Sequence, residues 1–182
     1  RRTSPVMLNR NNIVLAIQQD EYKGFSRTIA EVEWLLLSLV LVYLLASEPP
    51  QETKLAIHVA LFFFAAFTLG LHYVHFFRRE TRLKLVFETW IMLVFITWVV
   101  WYTGEIQSPL VHLYLIPIIT SSLIFGKILT SIEMAVIVGC FMFLAHEPDH
   151  SGMFHMKYWG KVLVISGPVI LVAYITTMLA AD

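Results

Sequence analysis

The chain carries 7 histidines and 13 acidic side chains in a background that is 58% apolar, so its chemistry is confined to few positions. Two histidines, His58 and His112, fall at similar depths near the outer ends of two apolar segments. Imidazoles on different helices at one level can ligate the iron of a b-type heme axially, and the apolar ring suits a site among Phe, Leu and Trp. His72 follows His58 by 14 residues, a spacing that turns about 1400° and rises about 21 Å, leaving both nearly on one helix face. A helix serving two stacked hemes has this form. No histidine on another segment lies level with His72, however, so a single heme held by His58 and His112 is the expectation. For each ring alone the bland reading is a hydrogen bond to headgroup or water.

A metal site competes for the same residue type. Between the last two apolar segments, His146, Glu147, Asp149, His150, Met153, His155 and Met156 gather nitrogen, oxygen and thioether donors. Imidazole suits zinc or copper, and thioethers favour cuprous ion. His146, His150 and His155 are the candidate ligands, though their spacings of four and five match no strict zinc signature. The single Cys140 excludes an internal disulfide and any multi-thiolate zinc or iron–sulfur centre. Glu88 and Glu133 enter apolar segments near the side where Arg78, Arg79, Arg82, His72 and His75 also lie. An ionisable group in a span costs about 2.5–3.5 kcal/mol, so structural pairing of these carboxylates with the cations is expected. A proton-linked switch through Glu88 and His72 is the functional alternative. Glu31 and Glu33 read as interface residues at the start of the first span.

These residues need elements to position them, and composition says where those elements lie. Of 182 residues 14% are charged, the formal net charge is zero, and the mean hydropathy is +0.71. Soluble domains run nearer 45–50% apolar and about 25% charged, so lipid is the expected solvent. Zero net charge removes the electrostatic pull that a nucleic-acid binder needs. A helix crossing about 30 Å of hydrocarbon takes about 20 apolar residues. Six segments qualify: 30–47, 55–77, 83–102, 110–125, 128–145 and 162–181. Pro117 and Pro168 are expected kinks and hinges within the fourth and sixth. Residues 1–29 form a cytoplasmic or interfacial leader, with Ile13 to Ile17 as the apolar part of an interfacial helix.

With the amino terminus inside, ten of the 13 Lys and Arg fall on the cytoplasmic side. That asymmetry places both termini in the cytoplasm. The expected fold class is therefore all-α: a polytopic six-transmembrane-helix bundle, surrounded by the lipid bilayer. No internal repeat is evident, which counts against an inverted-repeat transporter.

Further residues carry a resemblance. Glu88-Thr89-Trp90 with Met92, Trp101-Tyr102-Thr103-Gly104, Ser108-Pro109-Leu110 and Leu113-Tyr114-Leu115-Ile116-Pro117-Ile118-Ile119 resemble the amino-terminal six-helix input regions of bacterial membrane-bound diguanylate cyclases. Related patterns occur in input regions of sensor histidine kinases. The end of the chain, Ala173-Tyr174-Ile175-Thr176-Thr177-Met178-Leu179 with Asp182, looks like the segment where such proteins leave the membrane for a signalling helix and a catalytic domain. The resemblance implies a bacterial inner membrane and a homodimeric sensory domain in cyclic di-GMP signalling, covalently linked to a cytoplasmic output domain. No catalytic site is expected within the chain itself. In this reading a ligand, cofactor state or redox signal acts at the outer half of the bundle and shifts the fourth and sixth helices about Pro117 and Pro168. The competing functions are a b-type cytochrome electron carrier and a small transporter. A transporter needs a continuous polar path, and between His58 and His72 the second segment offers only Thr68.

Overall fold

The computed structural model describes residues 5–47, 49–73, 82–145 and 156–179. Among these are six α-helices and two short 3-10 segments, with no strand. Helix α1 (Pro5–Ser47) opens on a proline, tolerated in a first turn because no intrahelical donor is lost there. Helix α1 runs without a break from residues 5–29 into the first apolar stretch. At 1.5 Å per residue α1 is about 65 Å long, twice the hydrocarbon thickness. Pro49-Pro50 follows, and Lys54 N–H bonds the Pro50 carbonyl at 2.9 Å as α2 (Gln51–Tyr73) begins.

Helix α3 (Arg82–Tyr102) leads through 3-10 segments Glu105–Gln107 and Pro109–Tyr114 into α4 (Leu115–Phe125), followed by α5 (Lys127–Leu144) and α6 (Met156–Leu179). The stretches Gly24–Ser47, Gln51–His72, Leu83–Tyr102 and Lys127–Leu144 are each long and apolar enough to cross a membrane, whereas Pro109–Phe125 and Val162–Thr176 are shorter. Large apolar side chains point outward on these helices, with Leu45 75%, Phe62 70% and Val164 72% exposed. So much outward apolar surface fits a hydrocarbon solvent rather than water. The chain is an all-helical membrane protein.

Helix α3 is the centre of the bundle, with 56% of its span buried against 22% for α2. It packs on α2 and α1 along one side and on Pro109–Tyr114 and α4 along another, while α6 is seated on α4 and α5. The core follows helical periodicity: Ile29, Leu36, Val40 and Leu44 make the inward stripe of α1, and Met92, Ile96 and Val99 that of α3. Phe64 stacks on Phe95 at 4.2 Å between α2 and α3, and Tyr114 meets Phe141 edge-on at 5.0 Å.

The Ser-Pro-Leu motif has a local mechanical role. The Ser108 side chain accepts from Leu110 N–H at 3.2 Å and Pro109 supplies the first residue of the 3-10 segment. The break expected at Pro117 takes the form of a change from 3-10 to α winding just before it. Pro117 sits in the first turn of α4, where its missing donor is least costly. Pro168 lies inside α6, which continues through it.

Gly126 joins α4 to α5 at φ 79° and ψ −175°, a conformation essentially reserved for glycine. Its carbonyl accepts from both Thr130 N–H and the Thr130 hydroxyl. Gly126→Ala is expected to lower stability by about 1–3 kcal/mol through backbone strain alone, since a Cβ there meets nothing within 4 Å. Thermal unfolding of the detergent-solubilised protein measures it.

Candidate functional site

Four ionisable side chains from three helices meet inside the bundle. His72, near the end of α2, donates from Nε2 to Glu33 Oε2 of α1 at 3.1 Å and stands 3.8 Å from Glu88 Oε1 of α3. Lys84, one turn before Glu88, brings Nζ to 3.6 Å from the same oxygen. The side chains of Glu33 and Glu88 are wholly buried, Lys84 is 3% exposed and His72 13%. Charges this deep persist only when opposite charges and hydrogen bonds replace lost water. Glu33 Oε1 and Thr68 Oγ1, one turn before His72, are buried without a hydrogen-bond partner.

The helices bring these groups together for a simple reason. Glu33 falls on the stripe of Ile29, Leu36 and Val40, so packing α1 inward carries its carboxylate inward. Lys84 and Glu88 are four apart on α3 and share a face. Glu31, by contrast, lies on the outward face of α1 and pairs with exposed Arg27 at 3.2 Å.

Against the sequence expectations, His72 and Glu88 do pair within the bundle. Glu33 does not behave as an interface residue: it is the principal partner of His72, and its place on the apolar stripe was the signal available in the sequence. Lys84, weighed there only for orientation, joins the same cluster. Glu133 stays apart, on α5 beside Ser121 of α4, with no ion pair among the described residues. His75, Arg78 and Arg79 lie outside the described residues, as do His146, His150 and His155.

His58 and His112 both lie at the surface of the bundle. His58 is exposed on α2, with Nδ1 2.6 Å from the Lys54 carbonyl oxygen, and His112 is exposed in the segment Pro109–Tyr114. Their elements both pack on α3. No group of three or more potential metal-binding His, Cys, Asp or Glu occurs among the described residues.

A second, uncharged polar tie links the far half of α3 to its neighbours. Tyr114 donates its hydroxyl to Thr97 Oγ1 at 2.8 Å, and Thr97 donates to the Leu93 carbonyl at 2.8 Å. The Cys140 thiol lies 3.8 Å from Thr97 Oγ1.

Comparison with protein-family models, with curated proteins and with solved structures finds no match to this chain.

Removing one member of the buried cluster leaves the others without their counter-charge. Glu33→Ala is expected to destabilise the protein by about 3–5 kcal/mol. Glu31→Ala, two residues away on the exposed face, is expected to change stability by less than about 1 kcal/mol. Parallel thermal melts in one detergent distinguish them.

Proposed function

We propose that the chain is a membrane-embedded sensory input domain, acting as a homodimer in a bacterial inner membrane with both termini cytoplasmic. Its signal passes through α6 to a covalently linked cytoplasmic output domain, a diguanylate cyclase in this reading. The observation that carries it is the division of the bundle. The ionic cluster fastens α1, α2 and α3 to one another, whereas α6 is held by α4 and α5. A change in how α3 meets α4 therefore moves α6 relative to a fixed group of helices. Buried ion pairs suit such a device because their arrangements are discrete rather than continuously deformable. A stimulus acts on this equilibrium only through different affinity for its two arrangements. The resemblance of the segments around Thr103, Ser108 and Pro117 to cyclase input regions supports the choice of output, and the concentration of Lys and Arg supports the orientation.

The test is the output of the complete protein in native membranes. Glu33→Gln and Lys84→Met are expected to change cyclic di-GMP production by about fivefold or more, the lower end of ordinary allosteric coupling. Unchanged output from variants present at normal levels in the membrane overturns the reading.

A b-type heme held by His58 and His112 is the alternative stimulus carrier, and it requires the two exposed rings to converge on one iron. It predicts sharp α and β bands in the dithionite-reduced spectrum of the purified protein, lost in both His58→Ala and His112→Ala. An electron carrier needs the same bands, together with electron transfer to a partner.

A further inference from the structure

Away from the ionic cluster, a third carboxylate is buried with no counter-charge beside it among the described residues. Glu133 is 3% exposed, and its Oε1 has no hydrogen-bond partner. Ser121, 1% exposed on the facing helix α4, presents a hydroxyl to this carboxyl, yet its Oγ is also without a hydrogen bond. Thr130, one turn before Glu133 on α5 and 2% exposed, directs its hydroxyl hydrogen to the Gly126 carbonyl at 3.0 Å. That donation leaves only oxygen lone pairs on Thr130 for anything beside it. Ser121 thus offers the carboxyl a single hydroxyl, and Thr130 offers only oxygen lone pairs. An anionic carboxylate at membrane depth is costly without a compensating positive charge. Among the described residues no Lys, Arg or His supplies one to Glu133, since His72 and Lys84 are engaged with Glu33 and Glu88.

We infer that Glu133, Ser121 and Thr130 form a binding site for a small alkali cation, Na+, between α4 and α5. Hard cations take oxygen ligands from carboxylates, hydroxyls and carbonyls, which is the donor set present. One carboxylate matches one positive charge, so a monovalent ion leaves the site neutral where a divalent ion would leave excess charge in hydrocarbon. A cavity of about 250 Å3 between α5 and α6, lined by Lys127, Thr130, Ser131 and Tyr174 among others, borders Thr130. The site is independent of the sensory reading and stands or falls by its own test.

The experiment is thermal unfolding of the purified full chain in detergent, titrated with NaCl against choline chloride at constant ionic strength and pH. The expected result is a saturable rise in Tm with Na+ that choline does not produce. Glu133→Gln and the milder Ser121→Ala are expected to abolish or weaken that rise, while Glu31→Gln keeps it in full. Equal melting in the two salts overturns the site, whether or not the variants fold. Stabilisation that follows falling pH and ignores Na+ overturns it as well, because the carboxyl is then satisfied by a proton. A Na+ response retained in folded Glu133→Gln assigns the ion elsewhere and overturns it too.

Discussion

The 3.1 Å contact between His72 and Glu33 constrains the bundle more than any single apolar contact does. Hydrophobic packing is tolerant of rotation in lipid, since a leucine facing a neighbour and a leucine facing an acyl chain differ little in solvation. A carboxylate has no such freedom. Once Glu33 is committed to the interior, α1 must present the Ile29, Leu36 and Val40 face inward, α2 must bring its final turn to that level, and α3 must open beside it with Lys84 and Glu88. The stack of Phe64 on Phe95 and the edge contact of Phe67 with Phe87 then lie along the α2–α3 seam that this register defines.

The other half of α3 is fixed by weaker means. There the tie is a hydroxyl, from Tyr114 to Thr97, with the Cys140 thiol of α5 3.8 Å from the same Thr97 oxygen. Uncharged hydrogen bonds between membrane helices contribute about 0.6 kcal/mol each on average, far less than the cost of stranding a charge. The bundle is therefore stiffly registered at one end of α3 and more loosely at the other. The change from 3-10 to α winding before Pro117 falls at the loosely tied end. The glycine at 126 sits at the opposite end of α4, so both ends of that short helix are breaks in regular winding.

Much of this was legible in the sequence. Apolar length alone gave the third segment to the residue, because Leu83–Tyr102 is bounded by charge on one side and Gly104 on the other. The pairing of His72 with Glu88 followed from the cost of ions in hydrocarbon. Glu33 was misjudged because its nearness to the start of the span outweighed its phase on the helix, and phase decides burial. The continuity of α1 has a local basis. Nothing among the polar residues between Gln18 and Lys23 breaks a helix, and glycine at 24 merely weakens one. The relation between His58 and His112 was beyond reach, because depth follows from topology whereas lateral neighbours depend on packing order. Both of their elements turn out to lie against α3.

Buried ion pairs seldom add net stability, since an apolar replacement of similar volume is often as good or better. What they supply in a lipid-facing bundle is a penalty for every wrong arrangement. Slipping α2 by one turn would cost a few apolar contacts along the Phe64 seam but would leave the buried Glu33 without His72. That asymmetry fixes how α1, α2 and α3 meet. Helix α6 is seated on α4 and α5, away from the ionic cluster. Glu133 lies apart from that cluster, on α5 beside Ser121 of α4, where no ion pair among the described residues fixes it.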